Sequence, residues 1–119
     1  MSDQEKYRIL IIEDESSLAE VIIDLLGHDY HCFSTDNGES ALNILSEQTF
    51  DLIITDLKMP GVEGREILEK TENANTPRIA ITGFPTLKKE IPDGVEIVDK
   101  PFDPAEFIKL VSFTIENRS

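Results

Sequence analysis

Short apolar runs alternate along this chain with stretches whose apolar residues recur every three or four positions. Short runs are typical of buried strands, and the longer-spaced repeats are typical of amphipathic helices. Five strands are predicted, over residues 7–12, 30–34, 52–55, 78–82 and 95–98. Helices are predicted after the first, second, third and fifth strands, over residues 17–26, 39–48, 62–72 and 104–117.

This alternation favours one α/β domain over residues 1–119, because parallel strands need crossovers that cover both faces of the sheet. The strand runs are apolar on both sides, as a buried parallel sheet requires. We therefore expect a doubly wound, flavodoxin-like sheet of five parallel strands in the order 2-1-3-4-5. Two prolines and two glycines between Thr82 and Val95 predict a short or missing fourth helix, with at most one turn over residues 86–90.

The helical repeats also predict which side chains face the core. On the first helix these are Leu18, Val21, Ile22, Leu25 and Leu26. On the second and last helices they are Ala41, Leu42, Leu45, Phe107, Val111 and Thr114. Ser16 or Ser17 is expected to cap the first helix, and Gly27 to end it. Pro104 is suited to the first turn of the last helix, from which Phe113 is expected to point outward.

The composition narrows the set of partners. The chain has 24 acidic and 11 basic residues, a net charge of −13, which argues against binding nucleic acid or an anionic membrane. The same charge favours cation binding wherever acids converge. Cys32 is the single cysteine, so an internal disulfide is excluded, and the sequence contains neither a signal-peptide core nor a membrane span. The expected location is therefore the cytoplasm.

Chemically useful side chains follow four of the five predicted strands. Glu13 and Asp14 follow the first strand, and Asp56 follows the third. Thr82 ends the fourth strand, and Lys100 follows the fifth. Ligands of parallel α/β sheets bind beyond the carboxyl ends of the strands, where the strand order reverses. The predicted order would bring the three acids into one crevice, flanked by the hydroxyl and the ammonium.

Three carboxylates in one crevice repel each other, and a hard divalent cation relieves that repulsion. Mg²⁺ suits such a crevice because it takes carboxylate oxygens while keeping several waters. The predicted metal ligands are Glu13, Asp14, Asp56 and the backbone carbonyl of Lys58. An aspartate can also accept a phosphoryl group. Asp56 is therefore the predicted acceptor, with Lys100 and Thr82 neutralising the phosphoryl oxygens.

With these residues the chain resembles the receiver domain of two-component response regulators. The segments that carry the resemblance are "ILIIEDE", "DLIITDLKMPGVEG", "IAITG" and "DKPFD". The resemblance implies that a histidine kinase or a histidine phosphotransfer protein phosphorylates Asp56 in a Mg²⁺-dependent reaction. It also implies a cis Lys100–Pro101 peptide. We expect a single-domain response regulator that changes partner binding, a phosphoacceptor that assists its own phosphorylation and dephosphorylation but is not an enzyme.

Several positions distinguish this chain from typical receivers. Glu13 stands where many receivers have Asp, a variant that keeps a metal ligand. Ile97 stands where a Tyr or Phe usually rotates inward, so we hypothesise that the loop over residues 83–94 moves on phosphorylation instead. Phe84 stands where a bulky residue could slow hydrolysis of the phosphoryl group. Phe113 makes a homodimer surface on the last helix possible, but an isolated surface residue is the favoured interpretation, because single exposed apolar residues are ordinary.

Two other functions compete with this one. The first is a degenerate receiver that acts as a phosphorylation-independent protein-interaction module, a reading that the missing aromatic at Ile97 keeps open. The second is an enzyme or cofactor binder on the same fold. A haloacid-type phosphatase needs a second acid two residues after its nucleophile, where this chain has Lys58. A flavodoxin needs a Ser/Thr-rich phosphate loop after the first strand, where this chain has acids.

Overall fold

A computed structural model describes residues 6–57, 64–72, 75–83, 91–92 and 94–117 of the chain. The strands of this part are β1 (Arg8–Ile12), β2 (His31–Thr35), β3 (Leu52–Asp56), β4 (Arg78–Thr82) and β5 (Glu96–Asp99). The helices are α1 (Ser16–Leu26), α2 (Gly38–Glu47), α3 (Gly64–Lys70) and α4 (Pro104–Glu116). Each observed strand lies within one residue of its predicted bounds. The predicted short or missing fourth helix, over residues 86–90, lies outside the described residues.

The strands form one parallel sheet in the order β2-β1-β3-β4-β5, which confirms the predicted topology. Every residue of β3 and β4 is buried, whereas the edge strands β2 and β5 are largely exposed or half-buried. The buried central strands explain why their sequences are apolar on both faces. This order places the carboxyl ends of β1, β3 and β4 side by side.

One face of the sheet packs against α1 and α4, and the other packs against α2 and α3. Ile22 and Leu26 are buried between α1 and the sheet. Val21 is 46% exposed, so the prediction that it faces the core is wrong. At about 100° per residue, Val21 points far from the direction shared by Ile22 and Leu26. The predicted serine cap is also wrong, because Ser16 and Ser17 already lie inside the helix and Glu15 is the N-cap.

The last helix is fixed at its start by its own cap. The Asp103 carboxylate accepts hydrogen bonds from the backbone N–H groups of Ala105 and Glu106, and Pro104 is the first helical residue. Just before the cap, the ring of Phe102 stacks on that of Phe107, with centroids 4.6 Å apart. This stacking joins the segment after β5 to the core side of α4.

The interior line of α4 consists of Phe107, Val111 and Ile115. Thr114, predicted to face the core, is only half-buried, because the four-residue repeat from Phe107 continues to Ile115 instead. Phe113 is 62% exposed, as predicted. No helix within the described part of the chain is both long and apolar enough to cross a bilayer.

Candidate functional site

Three acids meet where β1 and β3 end. Ile12 pairs with Thr55 in the sheet, so the residues that follow on each strand are neighbours. Glu13, Asp14 and Asp56 each offer a carboxylate oxygen, and these oxygens all lie within 4.8 Å of one another. Glu13 and Asp56 are only 2% and 6% exposed, whereas Asp14 is exposed. The crevice expected from the sequence is therefore present, with two acids at its floor and one at its rim.

Glu13 is held by its local backbone. Its N–H donates to the carbonyl of Thr35, and one side-chain oxygen, Oε2, accepts from the N–H of Glu15 at 3.0 Å. Among the described residues, no group donates a hydrogen bond to the other oxygen, Oε1, which is buried. A buried carboxylate oxygen without a donor is costly unless a cation faces it.

Lys100 brings the positive charge into the crevice. Its Nζ lies 2.7 Å from Asp56 Oδ2 and 3.7 Å from Glu13 Oε1. The Lys100 backbone N–H donates to the carbonyl of Thr82 at 2.8 Å, which ties the loop after β5 to the end of β4. The Lys100–Pro101 peptide is cis, as the resemblance implies. Thr82 itself is buried at the last position of β4.

The pKa values of two groups follow from this arrangement. Burial raises the pKa of Glu13 to about 7, and the negative charge of Asp56 contributes to this rise. The hydrogen bond from the Glu15 N–H and the positive charge of Lys100 lower the pKa but do not cancel the rise. Burial alone would lower the pKa of Lys100. Its hydrogen bond to Asp56 and the negative charges of Asp56 and Glu13 outweigh burial and raise that pKa.

Two residues outside the predicted set hold the backbone of Asp56. The Thr55 hydroxyl donates to the Asp56 carbonyl at 2.9 Å, and the Gly64 N–H donates to the Leu57 carbonyl at 3.2 Å. A Cβ atom at Gly64 would lie 1.9 Å from the Asp56 carbonyl oxygen. The sequence signal was a glycine in the first turn of a predicted helix, which indicates a close backbone approach.

Two of the expected site residues are not among the residues that the structure describes. Lys58, expected to offer a carbonyl ligand, and Phe84, expected to affect hydrolysis, are outside the described residues. Ile97, at the position of the usual aromatic, lies on β5 and is exposed. Its neighbour across the sheet is Ala80 of β4.

The donor set suits a hard divalent cation. Three carboxylate oxygens converge, one of them the buried Glu13 Oε1 that lacks a donor among the described residues. Magnesium prefers oxygen ligands at about 2.0–2.1 Å, so one ion could serve oxygens separated by about 4 Å. Glu13, Asp14 and Asp56 are therefore the residues that would hold Mg²⁺.

The raised pKa of Glu13 predicts a pH-dependent stability. The folded protein binds a proton that the unfolded chain has released, so without metal the wild type loses stability as pH rises from about 4.5 to about 7. The slope is at most about 1.4 kcal/mol per pH unit. Glu13→Gln removes this loss. We expect the difference between the unfolding free energies of wild type and Glu13→Gln, measured with urea in EDTA, to change across this range and level off above it.

The control for this prediction is Glu20→Gln, which changes an exposed acid on α1. Its unfolding free energy should follow that of the wild type at every pH. Parallel curves for wild type and Glu13→Gln would contradict the prediction, because they would show that Glu13 titrates alike in the folded and unfolded chains.

Comparison with known proteins identifies relatives of the chain. The family model of the response regulator receiver domain matches residues 9–112. Histidine kinase P4 of Formosa agariphila is 32% identical over an alignment of 127 positions, gaps included, which covers 99% of this chain and 9% of that protein. The response regulator receiver protein CpdR of Brucella abortus is 30% identical, with 80% of this chain and 85% of CpdR covered. The chain spans 9% of the length of histidine kinase P4, and 24% and 52% of the lengths of two other curated relatives.

A solved structure gives the same picture. The response regulator protein TrrA of Thermotoga maritima, crystallised in complex with Mg²⁺ and BeF, is 26% identical and superposes with a TM-score of 0.78. The match covers 89% of this chain and 96% of that one. Receiver domains are the phosphorylation-switched, non-enzymatic phosphoacceptors of two-component systems. The family match over most of the chain, together with the sheet order and the acidic crevice, shows that this chain belongs to the response regulator receiver domain family.

Proposed function

We propose that this domain accepts a phosphoryl group on Asp56 from a histidine kinase or a histidine phosphotransfer protein, in a Mg²⁺-dependent reaction that changes partner binding. The observation that carries the proposal is the position of the Asp56 carboxylate. It lies 2.7 Å from the Lys100 ammonium and shares its crevice with Glu13 and Asp14. The closeness of this carboxylate to an ammonium group and to two further acids supports the proposal.

The chain's own residues have separate roles in this reaction. An oxygen of Asp56 forms the new bond to phosphorus while the bond between phosphorus and the donor breaks, and the donor group leaves with that electron pair. Lys100 neutralises one oxygen of the transferring group, and the Thr82 hydroxyl binds another. Glu13 and Asp14 hold Mg²⁺, which neutralises the remaining phosphoryl charge when it is bound. These groups also assist the phosphorylation and dephosphorylation of the domain itself.

The proposed setting follows the sequence expectations. The domain acts in the cytoplasm. It does not bind nucleic acid directly, and the net charge of −13 supports this second point. The 85% coverage of the receiver protein CpdR supports action without an output domain. A homodimer through α4 is supported by Phe113, which exposes 62% of its surface on that helix.

Acetyl phosphate provides the direct test. We expect the protein to gain one phosphoryl group with Mg²⁺ present and none with EDTA, seen as a retarded band on a Phos-tag gel and as a mass increase. Borohydride reduction followed by peptide mapping should place the acyl phosphate at Asp56. Phosphoryl incorporation that does not require Mg²⁺, or that maps to a residue other than Asp56, contradicts the proposal.

The same experiment addresses the alternative function. A protein that stays unmodified by acetyl phosphate and by cognate donors would be a phosphorylation-independent interaction module. The exposed Ile97, in place of an aromatic that turns inward, is the observation that favours this second candidate.

A further inference from the structure

A buried arginine lies at the end of the sheet opposite the acidic crevice. Arg78 is the first residue of β4 and only 6% exposed. Its Nη1 donates to the carbonyl of Leu68, near the end of α3. Among the described residues, nothing accepts a hydrogen bond from its buried Nε. Burial lowers the pKa of this guanidinium, and the charge of Glu72 opposes that shift only in part.

Stability alone does not explain this residue. Taking a cation out of water is costly, and a donor left without an acceptor adds to the cost. Replacing a whole buried ion pair with apolar groups of similar volume is often neutral or stabilising, because the cost of burying the charges disappears. The four residues that follow Arg78 in β4 are uncharged and buried, so an apolar side chain would suit the position.

The contact made by Arg78 lies one helical turn from the phosphoacceptor backbone. Leu68 and Gly64 are four residues apart on α3, a rise of about 6 Å. Gly64 touches the backbone of Asp56 so closely that a Cβ atom there would lie 1.9 Å from the Asp56 carbonyl oxygen. The Gly64 N–H also donates to the Leu57 carbonyl.

Side-chain packing reinforces this connection. Leu57, which follows Asp56, packs in one buried cluster with Leu68 and Ala80. Ala80 lies two residues from Arg78, so it shares with Arg78 the face of β4 that meets α3. Helix α3 is thus held between Arg78 at one end and the Asp56–Leu57 backbone at the other.

We propose that Arg78 is a positioning residue for phosphorylation: by fixing α3 through the Leu68 carbonyl, it sets the placement of the Asp56 backbone. The inference rests on the proposed function, because it concerns the rate at which Asp56 accepts a phosphoryl group. Arg78 itself touches no reacting atom. Its buried charge costs stability and preserves the geometry of a distant crevice.

The test compares two variants of Arg78 with a matched arginine. Arg78→Met removes the donor, and Arg78→Lys keeps a cation that can donate to Leu68. Arg8→Met is the control, because Arg8 also begins a strand at this end of the sheet. The Arg8 side chain donates hydrogen bonds to the Gln48 side chain and the Thr49 carbonyl, which precede β3, and to no described residue of α3.

The readouts separate positioning from stability. The phosphorylation rate is measured with saturating Mg²⁺ and acetyl phosphate, and the unfolding free energy is measured with urea. We expect Arg78→Met to be at least as stable as wild type but about three- to tenfold slower in phosphorylation, because small displacements of a reacting group cost this much or more. Arg78→Lys should recover most of the rate. Arg8→Met should lose stability and keep the rate.

A second readout follows the structural step itself. The backbone amide resonances of Leu57 and Gly64 should shift in Arg78→Met and return toward wild-type positions in Arg78→Lys. Arg78→Met with a wild-type rate and unshifted amides overturns the inference while leaving the proposed function intact. Unfolding of Arg78→Met also overturns it, since the residue would then be structural. If no donor phosphorylates the wild-type protein, both the proposed function and this inference are contradicted.

Discussion

Replacing Asp56 with asparagine is expected to reduce phosphoryl incorporation from acetyl phosphate below detection while the protein stays folded. The amide has the shape of the carboxylate but lacks the charged nucleophilic oxygen that forms the acyl phosphate. It also removes one of the three converging acid ligands and the charged partner of Lys100 at 2.7 Å. Losses at such a site are far from additive, so one substitution is enough to stop the reaction.

Asp36→Asn is the matched control for this variant. Asp36 is an exposed acid that follows β2 at the same edge of the sheet, and its loss should leave the phosphorylation rate unchanged. Circular dichroism of both variants checks the fold. If Asp56→Asn gained a phosphoryl group at the wild-type rate, another residue would be the acceptor.

Replacing Gly64 with alanine is expected to destabilise the domain by about 3 kcal/mol or more, because the added methyl group overlaps backbone atoms and not a movable side chain. The new carbon would lie 1.9 Å from the Asp56 carbonyl oxygen and 2.9 Å from the Leu57 Cα. Relief requires α3 or the end of β3 to move, and β3 is the central strand of the sheet. Urea unfolding measures the loss.

Gly83→Ala provides the comparison for this effect. A Cβ atom at Gly83 would lie 3.7 Å from the nearest atom, on the aliphatic part of Lys100, which is an ordinary van der Waals distance. Its unfolding free energy should stay within about 1 kcal/mol of the wild type. Equal stabilities of the two glycine variants would show that α3 adapts to a side chain at position 64.

The sheet could be predicted from the sequence because its central strands are continuous apolar runs separated by helical repeats. Some observed strand ends differ from the predicted ends by one residue, because hydrogen bonding to a neighbouring strand decides where a strand ends. Thus Asp56 is the last residue of β3, where it pairs with Ile81. Val21 was misplaced because periodicity gives an apolar arc without saying which part of that arc meets the sheet.

The members of the crevice could also be predicted, because the topology alone brings the carboxyl ends of parallel strands to one edge. Their environment could not. The burial of Glu13 raises its pKa, and that burial depends on the packing around the end of β1, which no sequence pattern specifies. Arg78 was unrecognisable as a buried residue, since an arginine is usually exposed and its partner is a backbone carbonyl of α3.

The short path from Lys100 to α4 has a mechanical consequence. Only Pro101 and Phe102 separate the lysine from the Asp103 cap, and the Phe102 ring rests on Phe107 inside the core. If phosphorylation of Asp56 displaces Lys100, we expect the displacement to reach Phe107 through this short segment. A shift of α4 transmitted in this way would change the orientation of the exposed Phe113 ring on the surface of the domain.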